Sequence, residues 1–175
     1  MITDNFVPEK INEYNAYTNG TKMIGLTKYV SLPEINMKTD TVEGPGIKGE
    51  IDSPTTCQFE SMEGTLKFRT LYSSAPDLMD PTATQNITLR AAQQVLDRTS
   101  GYAFNKSLRI VLGGRTKSFN PGTVQRGESM DAELVIEVTY YLIEVDGQVV
   151  VEIDKLNDVY KVNGKDLLAD INAMI

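Results

Sequence analysis

Residues 132–154 read AELVIEVTYYLIEV, then DG, then QVVVEID, and this stretch decides the fold. Asp146-Gly147 is a two-residue linker of the kind primed hairpin turns need, because both residues tolerate positive φ. A two-residue loop sets Val145 opposite Gln148, Glu144 opposite Val149, Leu142 opposite Val151 and Tyr140 opposite Ile153. With Ile136 and Val138, this register predicts one nearly apolar face. The other face pairs Ile143 with Val150, Tyr141 with Glu152 and Thr139 with Asp154. It has too much apolar area for a solvated surface and too much charge for a second core. Tyr141, Ile143, Val150 and Glu152 are therefore read as a candidate subunit interface, with a covering loop of the same chain as the other explanation.

Working outward, most segments read as strands. Leu108, Ile110 and Leu112 alternate with Arg109 and Val111, and Gly113-Gly114 follows. Near the start, Asn19-Gly20 predicts a turn between Tyr14–Thr18 and Lys22–Leu26, and residues 1–13 read as an extended N-terminal arm. Ile35, Met37, Thr39 and Thr41 share one side of a run whose other side holds Asn36, Lys38, Asp40 and Val42, which predicts a half-buried strand. Residues 43–49, around Gly44-Pro45-Gly46, read as a flexible loop; Ile47–Asp52 returns and Pro54 ends it. Thr55–Tyr72 is strand-rich, with Gly64 as a bulge or kink, and Ser74–Pro81 reads as a short helical turn. Residues 87–97 are two-sided: Leu89, Ala92, Gln93 and Leu96 have helical spacing, whereas Ile87, Leu89 and Ala91 alternate. Residues 165–175 read as a short amphipathic helix with Leu167, Leu168, Ile171 and Ile175 in one stripe.

The chain has 175 residues, which suits a single domain over 1–175. One cysteine, Cys57, excludes an internal disulfide and a multi-thiolate zinc site. With no His, a Ser-His-Asp triad and His-ligated metal are excluded. A net charge of −7 argues against general nucleic-acid binding. Residues 1–11 hold acids and no apolar block, so no signal peptide is read there, and the chain is expected to be made in a cytoplasm and stay soluble.

The charge is uneven. Residues 1–84 carry 12 acids and 7 bases, residues 85–127 one acid and 7 bases, and residues 128–175 carry 11 acids and 3 bases. Neighbouring strands could neutralise each other within one fold; alternatively, two surfaces of opposite sign meet between subunits.

No nucleophile, base and orienting group assemble, so an enzyme is not expected and no cofactor or metal is implied. The acidic pairs Glu60/Glu63 and Asp131/Glu133 read as solvated faces. Cys57 reads as a structural thiol. Arg109, Arg115, Lys117 and Arg126 lack the interleaved aromatics of a nucleic-acid platform beyond Phe119.

An ordered set of motifs remains: Asn15–Gly20, Ser31–Ile35, Glu43–Gly46, Gly114–Lys117, Thr139–Leu142, Val145–Gly147, Val151–Asp154, Asn157 and Val162–Leu167. In these the sequence resembles the major tail tube proteins of contractile-tailed phages and of related phage-tail-like bacteriocins. The first and last thirds of the chain carry the likeness; residues 60–107 depart from the pattern. The resemblance implies a mainly β fold, an antiparallel β-sandwich or barrel with a short flanking helix and a short C-terminal helix. It also favours strand over helix for residues 87–97.

The resemblance further implies hexameric rings stacked head to tail into a hollow tube. A contracting sheath drives such a tube through a target envelope, for DNA passage or membrane breaching. The implied partners are further copies of the chain, the sheath protein, and the baseplate, tape-measure and tail-terminator proteins, with transient contact to the target membrane. Assembly would take place in the bacterial cytoplasm, and the product would be part of a virion tail or released bacteriocin particle. An acidic lumen would let DNA slide without sticking, and Asp40, Glu43, Glu50 and Asp52 are the candidate lumen-facing acids. Gly44, Pro45 and Gly46 form the candidate inter-ring loop, with the N-terminal arm as a second contact. A ring protein resembling those of type VI secretion, and a monomeric ligand-binding β-barrel, are the other readings.

Overall fold

The computed structural model describes residues 5–23, 27–71 and 75–174. The strands are β1 (Phe6–Thr18), β2 (Thr21–Met23), β3 (Thr27–Ser31), β4 (Met37–Val42), β5 (Ile51–Phe59), β6 (Glu63–Phe68), β7 (Gln85–Asp97), β8 (Ala103–Asn120), β9 (Ala132–Val145), β10 (Gln148–Asp154), β11 (Val159–Val162) and β12 (Lys165–Asp166). A 3-10 turn covers Ala75–Met79 and one short helix, α1, covers Ala169–Asn172. The fold is mainly β and antiparallel, as expected.

Ten strands form one sheet along the path β12-β11-β10-β9-β8-β7-β1-β2, with β6 and β3 branching from β9. One edge of β9 meets β8, from Glu133 to Val145. Its other edge meets β6 over Ala132–Glu137 and then β10 over Tyr140–Val145. The sheet therefore forks at the middle of β9. Met62, Leu66 and Phe68 from the β6 side meet Ile87, Leu112, Ile153 and Tyr160 from the long branch in one core, a sandwich-like arrangement.

Bulges set which side chains enter that core. Gly113 pairs with Tyr140 but Gly114 pairs with Val138, so Thr139 is the extra residue on β9. Before it, Ala132, Leu134, Ile136 and Val138 point inward; after it, Tyr141 and Ile143 do. Gly114 permits the bulge, because a Cβ there would lie 2.0 Å from the Glu137 carbonyl oxygen. On β10, Glu144 pairs with Val149 and Ile143 with Val151, which leaves Val150 as a second bulge. The Asp146-Gly147 turn forms as predicted, with φ of 53° and 78°. The straight register beyond it is corrected: Ile153 faces Tyr141, not Tyr140, and Val151 faces Ile143, not Leu142.

Other expectations are refined. Asn19-Gly20 turns as expected, and Ala16–Thr18 pairs with Thr21–Met23; Leu26 lies outside the described residues. Of the N-terminal arm, residues 1–4 lie outside the described residues, and Phe6–Glu13 is the first part of β1, paired with β7. Residues 87–97 form strand, because β1 and β8 occupy both edges of β7 and take its backbone hydrogen bonds. Pro54 does not end its strand; it pairs with Thr39 at the edge of a two-stranded ribbon, where a missing N–H is tolerated. The strand-rich stretch from Thr55 divides between β5, which stops at Phe59, and β6, which starts at Glu63; Tyr72 lies outside the described residues. Gly64 is a buried packing position, with Leu112 Cδ1 3.3 Å from where its Cβ would stand.

The flanking helical turn narrows to Ala75–Met79; Ser74 lies outside the described residues. The C-terminal helix of 165–175 shrinks to four residues, since Lys165–Asp166 first pairs with β11. Leu167 and Leu168 pack on the core, but Ile171 is exposed, so the expected stripe does not form; Ile175 lies outside the described residues.

Candidate assembly surfaces

Strands β4 and β5 form a separate ribbon rather than a half-buried strand pair. Only its base touches the core, through Met37, Cys57 and Phe59. At that base four residues, Thr55–Gln58, stand between the pairs Met37–Phe59 and Thr39–Pro54, and Cys57 adopts φ 60°. Every residue from Lys38 to Thr56 is exposed. The Ile47 N–H donates to the Gly44 carbonyl at 3.0 Å, which closes the tip around Pro45 and Gly46.

The ribbon has two unlike faces. Asp40 pairs with Ser53 and Val42 with Ile51, so these four share one face. Thr39 pairs with Pro54 and Thr41 with Asp52 on the other, where the Thr41 hydroxyl donates to Asp52 at 3.1 Å. Val42 and Ile51 are 42% and 55% exposed. Glu43 and Glu50 flank the tip. The four candidate lumen acids thus lie on one ribbon, but Asp40 and Asp52 face opposite ways.

The candidate interface on the final hairpin divides. Tyr141 is 2% exposed and is corrected to a core position, whereas Ile143 is half-buried and packs against the core's edge. The Thr139 bulge is the physical reason, since it turns the odd-numbered residues inward. Val150 sits in its own bulge. Glu152 stays on the outer face, where it accepts from the Tyr140 hydroxyl at 3.3 Å and pairs with Lys161 at 3.6 Å. Burial, and then Glu152, push the Tyr140 phenol above its ordinary pKa.

That outer face also holds a feature the sequence reading missed. Arg90 on β7 stands directly opposite Arg109 on β8. Arg109 pairs with Glu144 at 3.1 Å. Arg90 lies over the Tyr17 ring at 5.6 Å and has no acidic partner among the described residues. Together they border a shallow cleft of about 570 Å³ whose lining includes Ala92, Lys106, Leu108 and Glu144. The excess of bases in residues 85–127 was its only sequence signal, and Arg90 joined Arg109 only once β7 was placed in register.

The acidic pairs are structural. Glu63 pairs with Lys117, and Glu133 pairs with Lys67 at 3.0 Å. Tyr29 and then Glu133 hold the Lys67 ammonium above its ordinary pKa. The Cys57 thiol contacts the Leu167 carbonyl oxygen at 3.7 Å, and desolvation followed by Asp166 raises its pKa. Among the described residues, no three His, Cys, Asp or Glu side chains converge as a metal site. These surfaces present exposed side chains that another molecule can contact.

Comparison with known proteins bears on the same point. The chain is 28% identical over 169 residues to the tail tube protein of Escherichia phage P2, covering 93% of this chain and 94% of that protein. It is 25% identical over 164 residues to the major tail tube protein of Serratia phage KSP20, covering 94% of this chain and 93% of that protein. Residues 8–175 match the family model described as phage tail tube protein FII, and the chain belongs to that family of structural tail proteins.

Proposed function

We propose that this tail tube subunit forms hexameric rings that stack head to tail into the hollow inner tube of a contractile tail. The carrying observation is the ribbon, fully exposed from Lys38 to Thr56 and bearing Val42, Ile47 and Ile51 on its surface. Exposed apolar side chains on a two-stranded projection favour a partner that covers them. Copies of the chain supply one, and rings also cover open strand edges such as the outer edge of β1.

In this reading the ribbon tip at Gly44, Pro45 and Gly46 contacts the adjacent ring. The Asp52 face, with Thr39 and Thr41, turns to the bore, joined by Glu43 and Glu50 at the tip. Carboxylates there repel phosphates, so DNA slides without sticking. The sheath surrounds the tube and drives it through the target envelope, with brief contact to the membrane. The baseplate starts the tube, and the tape-measure and terminator proteins set its length. Assembly takes place in the bacterial cytoplasm. The protein acts mechanically, not as an enzyme.

Negative-stain electron microscopy with light scattering on the purified chain tests this. Rings or hollow tubes are expected, with or without added baseplates as seeds. Monomers at every concentration, seeded and unseeded, would overturn it.

A further inference from the structure

We propose that the Asp40 face of the ribbon docks into the Arg90–Arg109 cleft of a copy in the adjacent ring. The proposal rests on the stacked-ring reading and names the receiving surface, which that reading leaves open.

The cleft leaves one of its two arginines unanswered by an acid among the described residues. Two like charges directly opposite across a strand pair repel each other. Glu144 answers Arg109 at 3.1 Å, while Arg90 meets only the Tyr17 ring. The ribbon supplies the anion. Residues 37–54 hold four acids and two lysines, a net of −2. The cleft side chains Arg90, Arg109 and Glu144 sum to +1, and Lys106 at the margin is paired with Asp146 at 4.0 Å. None of the four ribbon acids has an ion-pair partner among the described residues.

Apolar chemistry also matches. Asp40 shares its ribbon face with Val42 and Ile51, and Ala92 stands beside the two arginines on the cleft face. A ribbon face brings a carboxylate and apolar side chains together. A phosphate backbone brings no apolar group, and it would also meet Glu144. Ribbon and cleft are different places on one chain, so their contact is heterologous; repeated along an axis it does not close, which is the symmetry a tube needs.

Charge reversal tests the pairing. Arg90→Glu and Asp40→Lys are each expected to leave rings intact and cut tube mass by more than about tenfold, because like charges then meet at the contact. Mixing the two variants sets opposite charges against each other at every junction between unlike rings, so tubes of alternating rings are expected. Combining both changes in one chain reverses both sides and is expected to restore tubes. Circular dichroism checks the fold. Should Arg90→Glu fail to fold, Arg90→Gln takes its place, with shorter tubes expected. Tubes of wild-type yield from the single-side variants would overturn the pairing while leaving the tube reading intact. Folded variants that form no rings would put the contact within a ring and overturn it too. A wild-type chain forming neither rings nor tubes would instead overturn the tube reading itself.

Discussion

Asp40 and Asp52 lie on the same ribbon but on opposite faces, Asp40 beside Val42 and Ile51, Asp52 bonded to Thr41. Four acids that look equivalent in sequence are therefore divided between two surfaces of different chemistry. One is polar and suits water. The other mixes a carboxylate with exposed aliphatic side chains and suits a partner.

The division predicts unequal effects of the same substitution. Asp52→Lys is expected to leave tube yield near wild type and to slow DNA passage, since a cation in the bore attracts phosphates. Asp40→Lys is expected to stop assembly at rings. Sedimentation of assembled material and DNA release from tails carrying each variant measure the two outcomes. Equal assembly defects would contradict the division.

Gly114 is predicted to be intolerant. A methyl group there meets the Glu137 carbonyl oxygen at 2.0 Å, and backbone cannot move aside as a side chain can. Gly114→Ala should cost about 3 kcal/mol, the upper range for overpacking. Gly64→Ala meets side-chain methyl groups, Leu112 Cδ1 at 3.3 Å and Val138 Cγ2 at 3.4 Å, and should cost about 1 kcal/mol. Urea unfolding of both variants under non-assembling conditions gives the comparison.

Alkali should destabilise the subunit through Tyr141. Burial raises its pKa above 10.0 in the folded state, whereas the unfolded side chain titrates near that value. Below pH 10 both states keep the proton and no pH dependence arises from this group. As pH rises past the unfolded value, the unfolded state loses its proton first and gains stability. Tyr141→Phe should flatten the fall in melting temperature above pH 10. An unchanged slope would show that Tyr141 is not its source.

Cys57 should react slowly. Its thiol is partly buried and its pKa is raised, so little thiolate is present near neutral pH. A chromogenic disulfide should label it more slowly than free cysteine at pH 8, and Asp166→Asn should speed the reaction by removing a neighbouring negative charge. Labelling at the free-cysteine rate would contradict this account.

Much of the fold was legible in local signals. The turns at Asn19-Gly20 and Asp146-Gly147 follow from residues that accept positive φ. The strand at 108–112 follows from alternation. The inward turn of Tyr141 was not legible. Tyr140-Tyr141-Leu142-Ile143 and Val149-Val150-Val151 are apolar at consecutive positions, so a period of two cannot tell their faces apart. The bulges at Thr139 and Val150 decide, and a bulge depends on the partner strand, here on Gly114 lying under Glu137. Local propensity also misled at residues 87–97, where helical spacing yields to two flanking strands.

By itself, the sequence determined a mainly β chain without His, unable to form an internal disulfide, with its turns in place and with bases concentrated between two acidic stretches. Only the tertiary structure decided which side chains share a surface. It moved Tyr141 into the core, split Asp40 from Asp52, and brought Arg90 to Arg109. The physical reason is that strand pairing joins residues far apart in the chain, and one extra residue in a strand exchanges its two faces.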